Sequence, residues 1–283
     1  MSLIKISKNS VLILLVAIFS LVFAISGALL AAPFNALFVS MQISKSISAD
    51  LAESFATVLT PIIFFVYYLI RRNKTGYKTV MPYRAKGFIS KYFISWLVGL
   101  SAFILIWIIA AIFGAFKVTN VWNSANIVLI ILFIVAYGFQ GMSEEIICRG
   151  FLQGAVSKIA GPAFGITISV IFFAVFHSFN SGLTVLAFVN LLIYSLGMSV
   201  IRYRTDNLWI CGGIHSAWNF AQGTISGVLV SGIKPSLSIF TSAPVGGMTW
   251  ANGGTFGMEG SILCTIIYST ILLGALVLLK KKA

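Results

Sequence analysis

Two adjacent glutamates, Glu144 and Glu145, lie inside a long apolar stretch, and Arg149 follows the second of them by four residues. The chain has two histidines, His177 and His215, both within or at the ends of apolar stretches, and Asn219 follows His215 by four. An acidic group at the centre of a membrane helix costs about 2.5–3.5 kcal/mol on insertion scales, so such residues mark function before packing. Residues four apart share a helix face. Arg149 therefore faces Glu145 and can neutralise it. Glu144 points about 100° away and needs a partner from another helix. His215 and Asn219 share one face and can both donate hydrogen bonds into a cavity. Phe173 stands one turn before His177, where its ring walls the same pocket.

Together these side chains supply the parts of peptide-bond hydrolysis. A base activates water, a second group shares that water or protonates the leaving amine, and two donors hold the tetrahedral oxyanion. Glu144 suits the base and His177 its partner. His215 and Asn219 suit the oxyanion hole, with Glu145 and Arg149 in support. Cys148 shares the Glu144 face, but no base is in view to activate a thiol nucleophile. A zinc hydrolase ligated by Glu144, His177 and His215 is a closer rival. The chain has no His-Glu-x-x-His helix, and Asn219 is a better oxyanion donor than zinc ligand, so the favoured reading has no cofactor. Two rivals come from other classes. One is a non-catalytic binding, immunity or signalling partner; the other is a transporter with a proton relay. Neither needs His215 and Asn219 paired beside Glu144.

The elements that position these groups follow from composition. Of 283 residues, 59% are hydrophobic and 9% charged, and the mean hydropathy is +1.03. Soluble domains carry about a quarter charged residues, so a water-soluble fold is excluded. Long continuous apolar runs also exclude a β-barrel built of alternating strands. The expected fold is an all-α polytopic membrane bundle of about eight transmembrane helices, near 11–31, 54–70, 93–115, 127–148, 162–179, 182–201, 208–231 and 261–279. The first run follows Lys5 and Lys8 and is too long for a signal-peptide core, so it reads as a span. Arg71, Arg72, Lys74, Lys78, Arg84, Lys86 and Lys91 crowd the second loop; Arg202 and Arg204 lie in the sixth; Lys280, Lys281 and Lys282 close the sequence. Eight crossings with both termini cytoplasmic put all of these on one side and leave Lys45, Lys117 and Lys234 on the other. The net charge of +13 is thus a matter of topology and not of nucleic-acid binding. The whole chain, 1–283, reads as one membrane domain. It has less specific N-terminal spans over 1–120, a catalytic core over 127–231, and a last span with a basic tail over 261–283.

Spacing also predicts where the two halves of the site meet. Glu144 lies 17 residues before Gly161 and His177 lies 15 after Pro162, so a helical hairpin turning there brings them to one level. Asp50, Glu53, Asp206 and Glu259 are expected to be solvated in loops or at span ends. Cys148, Cys211 and Cys264 are read as small apolar residues, and Gly150 and Gly154 as a helix-packing pair. The Gly-, Ser- and Pro-rich stretch 232–259 is expected to be a flexible outer loop, with a structured lid as the alternative.

Three motifs in order, Glu144-Glu145-x-x-x-Arg149, Phe173-x-x-x-His177 and His215-x-x-x-Asn219, resemble those of the CAAX protease and bacteriocin-processing (Abi) family of intramembrane endopeptidases. That family includes the Ras-converting CAAX endoprotease. The strings Arg149-Gly150-Phe151-Leu152 and Thr205-Asp206-Asn207-Leu208-Trp209 also resemble bacterial members. The likeness covers roughly 140–220, while the first three spans match only in being hydrophobic. It implies a glutamate endopeptidase in which Glu144 and His177 activate water and His215 and Asn219 hold the oxyanion. It further implies a multi-pass protein of the bacterial cytoplasmic membrane. The implied partners are the lipid bilayer and a substrate that is a hydrophobic peptide or membrane-associated protein, in peptide maturation, bacteriocin self-immunity or signalling. The eukaryotic members remove the last three residues of prenylated proteins.

Overall fold

The computed structural model describes residues 3–29, 31–71 and 85–278. Of the charges used for orientation, Arg72, Lys74, Lys78, Arg84 and Lys280–Lys282 lie outside the described residues, and the side chains of Lys5, Lys8 and Arg71 are not described. The order of elements is α1 (Leu3–Leu29), α2 (Ala31–Ser40), α3 (Lys45–Ala56), α4 (Leu59–Arg71), α5 (Phe88–Ile112), β1 (Phe116–Asn120), α6 (Ile127–Glu145), a π-helical turn (Ile146–Leu152), α7 (Gln153–Ala160), α8 (Pro162–His177), α9 (Val185–Thr205), α10 (Leu208–Phe220), β2 (Phe240–Pro244) and α11 (Ile262–Leu278). Among the described residues, four helical stretches are long and apolar enough to cross a membrane: Lys45–Tyr67, Phe88–Ile112, Ser124–Ala160 and Val185–Thr205. Shorter apolar helices pack beside them. Phe93, Ile94, Ile112 and Val128 are exposed. Large apolar side chains facing outward in this way suit a lipid surface.

The bundle is built around α10, which is buried over most of its length. It packs most closely against α5 and α6. Glycine allows this approach at two places. A Cβ on Gly141 would lie 2.7 Å from the main-chain nitrogen of Ser216, and one on Gly99 would collide with the carbonyl of Ile214. Local signals set the helix starts: Thr184 and Asn207 cap α9 and α10 through their side-chain oxygens, and Pro162 opens α8.

Several expectations need correction. The second apolar segment begins at Lys45, not near residue 54, and is broken at Thr57 and Val58. Pro61 stands in the first turn of α4, where its missing N–H and fixed φ start a new helix and do not continue the old one. The seventh segment, expected to run to 231, leaves the helix after a π-helical turn over Ala221–Ile225. The helical fold also carries one antiparallel ribbon, in which β1 pairs with β2 from Phe116 opposite Pro244 to Asn120 opposite Phe240. The 232–259 stretch is folded and not an open loop: it contains β2 and buries Ala251, Asn252, Phe256 and Met258. Gly150, in the π-helical turn, is buried, and Gly154, in the first turn of α7, is half-buried.

Candidate functional site

Glu144 lies in the last turn of α6 and its side chain is 20% exposed. Its Oε1 accepts a hydrogen bond from Gln140 Nε2 at 3.3 Å. Its Oε2 lies 3.5 Å from His177 Nε2 and 3.8 Å from His215 Nε2, and it makes no direct hydrogen bond among the described residues. These separations suit a water bonded to all three atoms. The α7–α8 turn thus brings Glu144 and His177 side by side, and α10 delivers His215 to the same point.

The hydrogen bonds of the two rings fix their chemistry. His177 Nδ1 is 2.9 Å from the carbonyl of Phe173. A carbonyl only accepts, so Nδ1 carries the proton, and the neutral ring presents an Nε2 lone pair to Glu144. His215 Nδ1 lies 2.9 Å from Glu145 Oε1, and the same oxygen accepts from Arg149 Nη1 at 2.9 Å. His215 Nδ1 therefore donates to a carboxylate, and its Nε2 can donate to an oxyanion only when the ring is protonated. With an imidazolium there, two carboxylates face one guanidinium and one imidazolium, and the buried cluster is electrically neutral. Buried charges persist when paired in this way.

Glu145 and Arg149 are both 0% exposed. Arg149 Nη2 donates to Ser195 Oγ of α9 at 2.8 Å, and its guanidinium lies over the Phe173 ring at 4.4 Å. That ring also lies tilted against His177, with 4.3 Å between centroids. Phe173 thus contacts the ion pair and the His177 imidazole together. The π-helical turn sits directly after Glu145, where such turns widen a helix near functional residues. Ser169 Oγ of α8 donates to Cys148 O in that turn at 2.9 Å. Cys148 is buried there.

Asn219 Nδ2 donates to Gln140 Oε1 at 3.3 Å. Gln140 consequently ties Asn219 to Glu144, a link missing from the sequence reading although residues 140 and 144 share a helix face. Ser195 was likewise missed, since a serine in an apolar helix carries no signal of its own. A cavity of about 250 Å³ opens on Glu144, His177 and Asn219. Asp50 and Glu53 of α3 also line it, with Ser231 and Lys234 from the stretch after α10. Glu53 is exposed, as expected of a solvated acid, while Asp50 is half-buried and Glu259 is buried, which corrects the expectation for Glu259. Asp50 accepts from Ser236 N at 2.8 Å, and Glu259 is 6% exposed, because the chain after α10 folds back onto the bundle. Asp206 is the acid that does stand apart, paired with Arg202 at 2.6 Å. Among the described residues, no three His, Cys, Asp or Glu side chains group as a metal-ligand set.

No curated protein matches the chain. Residues 126–221 match the Rce1-like family model, described as type II CAAX prenyl endopeptidase Rce1-like. The matched segment, about a third of the chain, holds Glu144, Glu145, Arg149, Phe173, His177, His215 and Asn219, and over it the chain is similar to the Rce1-like CAAX-type membrane proteases.

Proposed function

We propose that the protein is an intramembrane glutamate endopeptidase that hydrolyses a peptide bond without a metal, using the cavity between α3, α6, α8 and α10. The observation that carries this reading is the convergence of Glu144 Oε2, His177 Nε2 and His215 Nε2, at 3.5 and 3.8 Å from the carboxylate oxygen. A water placed among them donates one proton toward Glu144 and one toward the His177 lone pair. Its own lone pairs are then turned to the scissile carbonyl. Attack transfers a proton to Glu144 and moves charge onto the carbonyl oxygen. Protonated His215, with Glu145 as counter-ion, and the free N–H of Asn219 are the donors for that oxyanion. As the intermediate collapses, the proton on Glu144 passes to the leaving amine, with His177 beside it as relay. Glu145 orients His215, Arg149 neutralises Glu145, and Phe173 holds both in register.

The charge pattern supports an integral membrane protein with eight crossings and both termini on the cytoplasmic side of a bacterial membrane. The substrate is a hydrophobic peptide or the tail of a membrane-associated protein, since such chains reach a site among apolar helices. Peptide maturation, self-immunity and signalling are the roles this chemistry serves.

The test is cleavage of a quenched library of hydrophobic and lipidated peptides by the purified protein in detergent. Wild type is compared with Asn219→Ala and His215→Ala, with and without a zinc chelator. Cleavage lost in both variants and indifferent to chelator is the expected result. Cleavage lost on chelation moves zinc to first place. If wild type cuts no peptide while the variants keep the protein's effect in cells, the cluster is a binding site and the enzyme reading fails.

A further inference from the structure

Glu259 plays no part in the chemistry above, yet among the described residues its side chain is one of the most heavily bonded. It sits in the turn Met258–Gly260 just before α11. Its Oε2 accepts from Ser231 N at 2.5 Å and from Gln222 Nε2 at 3.3 Å. Ser231 Oγ lies 2.9 Å from Oε2 and 3.1 Å from Oε1. The turn that carries Glu259 is itself anchored: Asn190 Nδ2 of α9 donates to the carbonyls of Glu259 and Ser261 at 2.8 and 2.9 Å. Gln222, held by Trp218 Nε1 at 2.9 Å, also donates to the carbonyl of Leu229.

Ser231 is the residue this network grips. Its φ of +46° lies in the left-handed region, which a non-glycine residue keeps only where its surroundings over-determine it. The main chain of Val230 pairs with that of Ile233 across the turn. Val230, Ser231, Ile233, Lys234 and Pro235 line the same cavity as Glu144 and His177. One buried carboxylate thus fastens one wall of the catalytic cavity, from 28 residues further along the chain.

We propose that Glu259 is a positioning residue for that wall: by holding Ser231 it fixes the segment Val230–Pro235 beside Glu144 and His177, and its ionisation frees the segment. The carboxyl accepts from Ser231 N, Ser231 Oγ and Gln222 Nε2. Burial pushes the carboxyl up to about 7 against the bonds from Ser231 and Gln222, which pull it down. Ser231 closes one side of that enclosure, so the docked wall favours the protonated acid and rising pH loosens it. The titratable groups facing Glu259 are His177 of α8, Tyr194 of α9, His215 of α10, and Cys264 and Tyr268 of α11.

The kinetic consequence rests on the reading of this cavity as catalytic, but the test does not. Amide hydrogen exchange of residues 228–236 is measured on the full chain in detergent between pH 6 and 8.5, corrected for intrinsic exchange. In wild type, protection is expected to fall by up to about tenfold per pH unit above 7. Glu259→Gln reproduces the neutral acid, so its protection stays high and flat with pH. Glu259→Ala loses protection at every pH. Ser231→Ala keeps the main-chain bond and gives an intermediate level, which guards against Glu259→Ala failing to fold. A pH slope in Glu259→Gln equal to that of wild type, or unchanged protection in Glu259→Ala, overturns the proposal. If wild type cleaves no peptide while the exchange pattern holds, the protease reading has failed and this one has not.

Discussion

Glu145→Gln tests how the buried charges are balanced. The carboxylate it replaces is 0% exposed and bonded at 2.9 Å to both Arg149 and His215. Removing one partner of a buried pair costs about 3–5 kcal/mol, because the other charge stays buried without compensation. A glutamine oxygen still accepts from Arg149 and His215, so the lower end, about 3 kcal/mol, is expected. The assay is equilibrium unfolding in mixed micelles of a mild detergent and dodecyl sulfate, followed by near-ultraviolet circular dichroism. Glu145→Leu combined with Arg149→Met removes both charges and should regain most of that loss, since apolar replacements of a buried pair are often neutral or stabilising. The double variant should still lack peptide cleavage, because His215 has lost its acceptor and cannot be held as the imidazolium. A Glu145→Gln variant within about 1 kcal/mol of wild type, or a double variant no more stable than the single one, would refute the reasoning.

Other outcomes follow from the same contacts. Phe173→Leu removes the ring beneath Arg149 and should cost about 1–2 kcal/mol of stability, read in the same unfolding assay. Gly141→Ala sets a methyl 2.7 Å from Ser216 N and should lower the unfolding midpoint by displacing α10. Gln140→Leu unties Asn219 from Glu144; kcat for peptide cleavage should fall about tenfold at unchanged KM, while Asn219→Ala should lower kcat by about 10²–10³. The pH dependence has a definite sign. Glu259 is raised to about 7 in the folded protein from 4.5. Its contribution to stability is therefore complete below about pH 4.5 and is lost as pH rises through 7, a change of about 3 kcal/mol that Glu259→Gln should abolish.

Much of the candidate site was legible because charge is so scarce in this chain. With six acids and two histidines among 283 residues, the positions of Glu144, Glu145, His177 and His215 in apolar stretches could hardly be accidental. Helical spacing then linked Arg149 to Glu145 and Asn219 to His215. What local pattern does not reveal is how the chain folds back on itself. Glu259 lies between glycines and reads as a solvated loop residue, yet its bonds come from Ser231 and Gln222. The ribbon joins Phe116–Asn120 to Phe240–Pro244, a pairing of short strands too distant in sequence for either to announce. Hydropathy alone also overran the end of α10, where the apolar run continues to Val230 but the helix does not.

The most direct test of the central claim is the single-turnover rate of Glu144→Gln against wild type, on whichever peptide wild type cuts, with Cys148→Ala as control. If Glu144 is the base that activates water, its loss should lower the rate by about 10²–10⁴ at unchanged substrate affinity, while Cys148→Ala stays near wild type. A Glu144→Gln enzyme within fivefold of wild type, or a Cys148→Ala enzyme without activity, would contradict it.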